Sequence, residues 1–212
     1  MSRFRVLLFL SLLIALGRPA LAQSRFEIGT AVTWTGGFDA GGLDALETRN
    51  PSTGTAPLTL FGTSSRVEGA AGIAVRAAYG ISARLAVEAL AEYSRPTLRT
   101  TIVNDFEGAT GTDATVAISS YLFGGSVRYH FGGGRLAPFV SGGAGMLRQL
   151  DGDRASVVTG TELHAGGGMM YRLSPHLALR VDAGVSTRDK SIEFEGTRHT
   201  VPVIGGGVTF RF

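Results

Sequence analysis

Four histidines and a set of carboxylates are the residues of this sequence with the means for acid–base or metal chemistry. His164 follows Glu162 by two positions, a spacing that puts both side chains on one face of a β-strand. Such a pair serves either as a general base with its partner or as part of a network of paired charges, and structural networks are the more common setting. We therefore predict no catalytic residue.

The other histidines match no site motif. His130 and His176 lie at predicted short turns, where solvated positions are expected. His199 lies near acidic residues of the last predicted loop, but the spacing matches no metal-ligand motif. Glycine-rich runs such as 132–134 and 205–207 lack the helix and lysine that follow a phosphate-binding loop. The sequence thus predicts no metal and no cofactor.

The first 22 residues have the three parts of a secretory signal peptide. A basic start at Arg3 and Arg5 precedes an apolar run over residues 6–16, and small residues surround a cleavage site near Ala22. The run is shorter than the about 20 residues that span a bilayer. We therefore expect an exported protein in which residues 23–212 form one domain.

The composition of the mature chain limits the function classes. Three of the 20 basic residues and none of the 17 acidic ones lie in the leader, so the mature chain has no net charge. A nucleic-acid partner is therefore not expected. Cysteine is absent, so no disulfide stabilises the fold, and glycine, at 31 of 212 residues, is about twice its usual share.

Eight stretches alternate apolar with small or polar residues, as strands with two unlike faces do. They lie at about 25–35, 65–79, 84–93, 114–130, 135–147, 157–172, 177–186 and 201–212. Long irregular segments are predicted at 36–63, 95–113 and 187–198, with a shorter loop at 149–155 and short turns between the other strands. Short turns at one end and long loops at the other are typical of an all-β, eight-stranded antiparallel up-and-down transmembrane β-barrel.

Two strands leave details open. The strand at 135–147 is small and apolar on both faces, so its orientation is not assigned. Ile118 and Leu122 fall on the polar face of strand 114–130, and we predict a bulge that resets the alternation there.

Charged residues and glycines share one face of these strands, and large apolar residues occupy the other. The apolar face lacks the Lys and Glu of a solvated surface, which favours lipid outside and charge inside, the reverse of a soluble barrel. Charges in so narrow a lumen must pair with one another. The predicted lumen ion-pair network consists of Glu27, Glu68, Arg76, Glu88, Glu92, Arg128, Glu162, His164, Arg180, Asp182 and Arg211.

The mature chain resembles the OmpA-type transmembrane domain, the family of small eight-stranded outer-membrane β-barrel proteins. The resemblance is carried by residues 135–145 and 171–182, by the strand–turn rhythm, and by the aromatic end of the last strand. It implies that Phe210 and Phe212 form the terminal signal read by the barrel-assembly machinery. It also implies the bacterial outer membrane as location, with outer-membrane lipid and lipopolysaccharide as neighbours, but not the cell-wall tethering of two-domain members.

The expected role is that of a non-enzymatic structural or surface-interaction protein. Loops on a rigid barrel carry recognition, and the long segment 36–63 is the expected binding site for an extracellular ligand. The alternative is a small pore or a barrel that transports hydrophobic solutes. A lipid A-modifying enzyme is less favoured, because deacylases of this type have a Ser two residues after a His and none of the four histidines has one.

Overall fold

The computed structural model describes residues 26–47, 58–105, 108, 111–151, 157–191 and 194–212. The predicted signal peptide lies outside these ranges. The described residues form eleven strands: β1 (Phe26–Thr35), β2 (Phe38–Glu47), β3 (Leu58–Val67), β4 (Ala70–Gly80), β5 (Leu85–Ser94), β6 (Thr97–Asp105), β7 (Asp113–His130), β8 (Leu136–Asp151), β9 (Val157–Arg172), β10 (Leu177–Ser191) and β11 (Phe194–Arg211). Within this part of the chain no helix has the length and apolarity to cross a bilayer.

Eight of the strands close into a ring. The antiparallel order is β1, β4, β5, β7, β8, β9, β10 and β11, and β11 pairs back onto β1 from Glu27↔Arg211 to Thr35↔Val203. Short turns at residues 81–84, 131–135 and 173–176 all lie at one end of the ring, which we call the turn end. The predicted eight-stranded antiparallel barrel is confirmed.

The predictions of irregular segments at 36–63 and 95–113 are wrong for most of their described residues, because 38–47, 58–63 and 97–105 lie in strands, and residues 48–57, 106–107 and 109–110 lie outside the described residues. β2, β3 and β6 pair in that order, and β6 pairs with residues 113–117 of β7. We call this four-stranded extension the upper sheet. It continues the barrel strands across short breaks at 36–37, 68–69 and 95–96. The predicted loop at 187–198 is likewise mostly strand, since β10 and β11 pair as far as Ser191↔Phe194.

The wall of the barrel has an apolar outside. Along β1, exposed and buried residues alternate without a break. Large apolar side chains of the ring point outward, including Val32 at 65% exposed, Ile73 at 63% and Val181 at 59%. A row of outward aromatics borders this surface at each end. Those at the turn end include Phe26, Tyr79, Tyr129, Tyr171 and Phe210, and those near the upper sheet are Trp34, Tyr93 and Tyr121.

The apolar surface has a height comparable to the apolar band of about 25 Å on transmembrane barrels. Phe26 and Trp34 are eight residues apart on β1, which corresponds to about 26 Å along a strand and roughly 20 Å after the usual barrel tilt. Tyr93 and Tyr121 lie side by side on neighbouring strands, with ring centroids 5.1 Å apart. The outward surface is therefore an apolar zone between two aromatic borders, as in barrels that face lipid.

The structure settles the two strand details that the pattern left open. In β8, Phe139 and Leu147 are buried and face inward, whereas Val140 and Met146 face outward. The predicted bulge near Ile118 and Leu122 is wrong: β7 pairs with β8 without a register shift from Ile118 to His130. Both side chains instead point into the barrel, with 1% and 6% of their surface exposed.

Inward-facing glycines make room for the large side chains of neighbouring strands. Gly168 lies opposite both Phe139 and Asp182, and Gly207 lies opposite Arg180. A Cβ atom at Gly168 would lie 2.8 Å from the Phe139 ring and 2.2 Å from the Val181 carbonyl oxygen. Glycine at these positions lets the strands coil tightly while charged and aromatic groups fill the lumen.

Gly207 and Gly206 provide a matched test of this crowding. A Cβ at Gly207 would lie 2.0 Å from the Thr30 carbonyl oxygen, whereas one at Gly206 would find its nearest neighbour at 3.8 Å. We expect Gly207→Ala to lower the free energy of unfolding by about 1–3 kcal/mol, the usual cost of overpacking, and Gly206→Ala to leave it nearly unchanged. Urea unfolding in detergent measures both, and equal stabilities would contradict the crowding argument.

Candidate functional site

The interior of the barrel contains a continuous chain of ion pairs. It runs Arg211–Glu27–Arg128–Glu88–Arg180–Asp182–Arg76, and we call these seven residues the interior network. The members come from β1, β4, β5, β7, β10 and β11. Side chains from six of the eight ring strands are thus joined by opposite charges across the lumen.

Glu88 is the centre of the network. Its Oε2 accepts hydrogen bonds from Arg128 Nη1 at 2.8 Å and from Arg180 Nη1 at 2.6 Å. Arg76 Nε lies 3.8 Å from Oε1 of the same carboxylate. Arg128 is only 1% exposed and also donates to Glu27. A charge buried to this degree is tolerated only with partners of opposite sign.

Asp182 extends the network toward β4. Arg76 donates to both Asp182 oxygens, at 3.0 and 3.2 Å. Arg180 Nε donates to Oδ1 of the same carboxylate at 3.0 Å. Such two-point contacts fix the arginine geometry as well as its charge. The network therefore connects β4 to β10 across the lumen.

One apolar cluster lies beside the network at the turn end, and a second lies above it at the other end. At the turn end, Phe139 and Met170 are buried with Ala137 and Ala178, and the Arg180 guanidinium lies 4.8 Å from the centroid of the Phe139 ring. At the other end, the base of the upper sheet buries a cluster formed by Ala40, Val67, Leu98, Ile118 and the partly buried Phe38. Apolar side chains thus fill the space beside the network at the turn end and cover it at the other end.

A small cavity of about 70 Å³ lies in the polar interior. Glu92, Glu162 and His164 line it, beside Arg76, Glu88 and Asp182 of the network. Arg188 Nε donates to Glu162 at 2.8 Å. Within the described residues, the Nδ1 atom of His164 has no hydrogen-bond partner. The cavity has the size and polarity to hold a few water molecules.

Most predicted lumen residues lie together on the inward face, and Glu68 is the exception. Its carboxylate accepts a hydrogen bond from Arg99 Nε at 2.8 Å, and its side chain is 42% exposed. The break at residues 68–69 shifts the alternation between β3 and β4, which moves Glu68 out of the lumen and onto the upper sheet. Arg188 was missed because it falls in a segment predicted to be a loop.

The remaining histidines lie apart from one another and do not form a common site. His130 is half-buried beside Phe139, with ring centroids 5.8 Å apart, so the predicted solvated position is wrong. His176 is exposed at its turn, and its Nδ1 lies 3.1 Å from the Arg211 carbonyl oxygen. His199 stacks on Phe38 at 4.4 Å between centroids. Among the residues that the structure describes, no group of three metal-binding side chains is present.

The outward face of the upper sheet is charged, unlike the barrel wall below it. Arg99 bridges Glu68 and Asp113, at 2.8 and 2.9 Å, and Thr101 donates to Asp113 at 2.6 Å. The hydrogen bonds from Thr101 and Arg99 lower the pKa of the Asp113 carboxyl below its usual range. Arg66 and Asp39 form a more open pair on the same face. Polarity therefore changes where the barrel strands pass into the upper sheet.

The inward face of the upper sheet is apolar and partly open. Leu43 lies opposite Thr63 and Phe61 opposite Ala45, so these residues share the face of the buried Val67. Leu43 is 80% exposed and Phe61 is 42% exposed. Ser65 and Thr100 form a hydroxyl pair at 2.9 Å on this face. Large exposed apolar side chains in a cluster are typical of interaction surfaces.

The last strand ends beside the first. Phe212 N donates to the Phe26 carbonyl oxygen at 2.9 Å, and the two rings lie 6.1 Å apart. Phe210 and Phe212 are 51% and 66% exposed on the outside of the barrel. They form part of the aromatic border at the turn end.

Comparison with known proteins agrees with this architecture. The sequence matches the family described as outer membrane protein beta-barrel domain over residues 6–212. No curated protein is similar enough to count as a relative.

Solved structures share the fold at low sequence identity. Neisserial surface protein A is 14% identical with a TM-score of 0.56, and the match covers 88% of this chain and 97% of that one. The outer membrane protein OprG from Pseudomonas aeruginosa is 12% identical with a TM-score of 0.55, covering 90% and 96% of the two chains.

Glu88→Gln tests the interior network. The substitution leaves three buried arginines with too little opposite charge, so we expect a loss of about 3–5 kcal/mol in the free energy of unfolding. Glu68→Gln is the control, because its ion pair is exposed and we expect no measurable change. Equal effects of the two substitutions in urea unfolding would show that the network does not stabilise the barrel.

The filled interior predicts a closed barrel. We expect the refolded protein to give no steady conductance in planar lipid bilayers, since buried ion pairs and apolar side chains such as Phe139 and Ile118 fill the lumen. Heat-denatured protein in the same detergent is the control for leakage. Reproducible single-channel steps from the folded protein alone would contradict this expectation.

Proposed function

The chain belongs to the outer membrane protein β-barrel domain family, and from this premise we propose that it is a non-enzymatic surface-interaction protein of the bacterial outer membrane. In this proposal the barrel is an anchor, and the upper sheet binds a partner outside the cell. The observation that carries the proposal is the open apolar face of the upper sheet, where Leu43 and Phe61 are exposed above a buried base.

The interior supports an anchoring role. Seven of its charged residues are paired in the interior network, Glu162 is paired with Arg188, and His164 lies in a cavity of only about 70 Å³. A catalytic group needs contact with a substrate in a reachable pose. Neither the cavity nor the apolar clusters at both ends favour the passage or binding of a solute of ordinary size.

The upper sheet supports recognition of a polypeptide. β2 pairs with β3 alone among the described strands, so it is an edge strand in this part of the chain. An exposed edge can accept an extended segment as an added strand, with pockets for alternate side chains. Leu43 and Phe61 lie on adjacent strands beside this edge. We therefore propose an extended protein segment, on host matrix or on a neighbouring cell, as the ligand.

Paired variants of the upper sheet test the proposal. Leu43→Ser with Phe61→Ser removes the apolar contacts, and Asp39→Ser with Arg66→Ser alters the opposite face of the same strands. We expect the first pair to weaken binding of vesicle-reconstituted protein to immobilised extracellular matrix, or to cells of the same bacterium, by about tenfold or more. The second pair should bind like the unmodified protein.

The result must separate loss of binding from loss of fold. Heat-modifiable gel migration of each variant reports whether the barrel has formed. Normal migration with unchanged binding by the Leu43 and Phe61 variant would rule out this face as the interaction surface.

A further inference from the structure

Each of the three short turns has an arginine, either within the turn or directly before it, together with a large exposed apolar side chain. The first turn has Arg84 with Ile81, the second has Arg135 with Phe131, and the third has Arg172 with Leu173. Ile81, Phe131 and Leu173 are 52%, 60% and 45% exposed. In a water-soluble turn such apolar residues are unfavourable, whereas a turn at a membrane surface inserts them and keeps its cations at the headgroups.

The turn end has no acidic partner for these arginines. Residues 79–86, 129–137, 171–178 and 210–212, all described by the structure, contain no Asp or Glu. The carboxylate closest to this end on β1 is Glu27, which faces the interior and is held by Arg128 and Arg211. The arginines of the turns therefore carry positive charge that the described residues around them do not neutralise.

Neutral groups hold two of the arginines at the turn end. The Arg135 guanidinium lies 5.0 Å from the centroid of the Tyr171 ring, which faces outward. Arg135 Nε donates to the Arg172 carbonyl oxygen at 3.3 Å, and Arg172 Nη1 donates to the Gly133 carbonyl oxygen at 2.7 Å. Arg172 Nε is buried without a hydrogen-bond partner among the described residues. These contacts orient the cations without cancelling their charge.

We propose that the turn end binds anionic phospholipid, with the phosphates of the periplasmic leaflet on Arg84, Arg135 and Arg172. Ile81, Phe131 and Leu173 enter the outer part of the acyl layer beside them. The inference rests on the outer-membrane placement proposed above, with the short turns toward the periplasm. It adds a ligand class and a second surface, at the opposite end from the upper sheet.

Lipid selectivity of the inserted barrel tests the proposal. The protein is refolded into phosphatidylcholine vesicles that contain a trace of spin-labelled phosphatidylglycerol or spin-labelled phosphatidylcholine, and the fraction of immobilised label is compared. Since each arginine near a membrane surface adds attraction for anionic lipid, we expect a preference for phosphatidylglycerol of roughly threefold or more. High salt should reduce this preference.

Two triple variants identify the surface responsible. Arg84→Gln, Arg135→Gln and Arg172→Gln together should bring the preference close to one. Arg66→Gln, Arg99→Gln and Arg198→Gln make the same change in charge at the opposite end and should retain it. Absence of preference in the unmodified protein, or its persistence in the first variant, would overturn the proposal, as would an equal loss in both variants.

Further variants guard against a folding defect. Arg84→Gln alone, at a residue outside the contacts between Arg135 and Arg172, should lower the preference in part. The triple change of the same arginines to Lys keeps the charge and should preserve most of it. Insertion is measured by heat-modifiable migration: an inserted barrel without lipid preference contradicts this inference alone, whereas failure to insert contradicts the proposed membrane placement as well.

Discussion

The pairing of buried charges is the constraint on which this barrel depends. Glu88 accepts hydrogen bonds from Arg128 and Arg180 and lies 3.8 Å from Arg76. Arg128 is only 1% exposed in this interior. Unpaired, any of these groups would be strongly destabilising. The strands that supply them must therefore close at one register, and glycines such as Gly168 and Gly207 must stand opposite the large side chains. The closed ring brings the charged side chains together, and their pairing in turn favours the register at which the ring closes.

The outward face of the same strands changes from apolar to charged along their length. In the ring, outward residues such as Val32 and Ile73 are apolar, whereas past the breaks at 36–37, 68–69 and 95–96 the outward face has Arg66, Arg99 and Asp113. A backbone surrounded by lipid must be fully paired, which a closed ring achieves. Beyond the lipid zone the strands no longer need to close. The described part of the upper sheet can therefore have an edge strand, β2, and a partly exposed apolar face.

The two ends of the molecule differ in charge because their surroundings differ. At the turn end, Arg84, Arg135 and Arg172 stand beside apolar residues without a carboxylate among the described neighbours. At the other end, acidic and basic residues are mixed, as in the Glu68–Arg99–Asp113 cluster. Mixed charge suits contact with water and with protein, whereas unneutralised cations at an apolar rim suit phosphate headgroups. The barrel thus presents a different chemistry to each side of a bilayer.

The alternation of residue types along the chain was enough to predict an all-β barrel, the limits of β9 at 157–172, and the inward face of most charged residues, because parity in a strand is a local property. The residues that a strand pairs with, in contrast, lie far away in the sequence. The sequence alone did not reveal that residues 38–47, 58–63 and 97–105 form strands, because their polar composition favours loops until neighbouring edges are present. It left the face of Phe139 unassigned, placed Glu68 on the wrong face, and predicted a bulge at Ile118 that the structure lacks. Those faces were decided by register and by the breaks between strands, since a shift of one residue exchanges inside for outside.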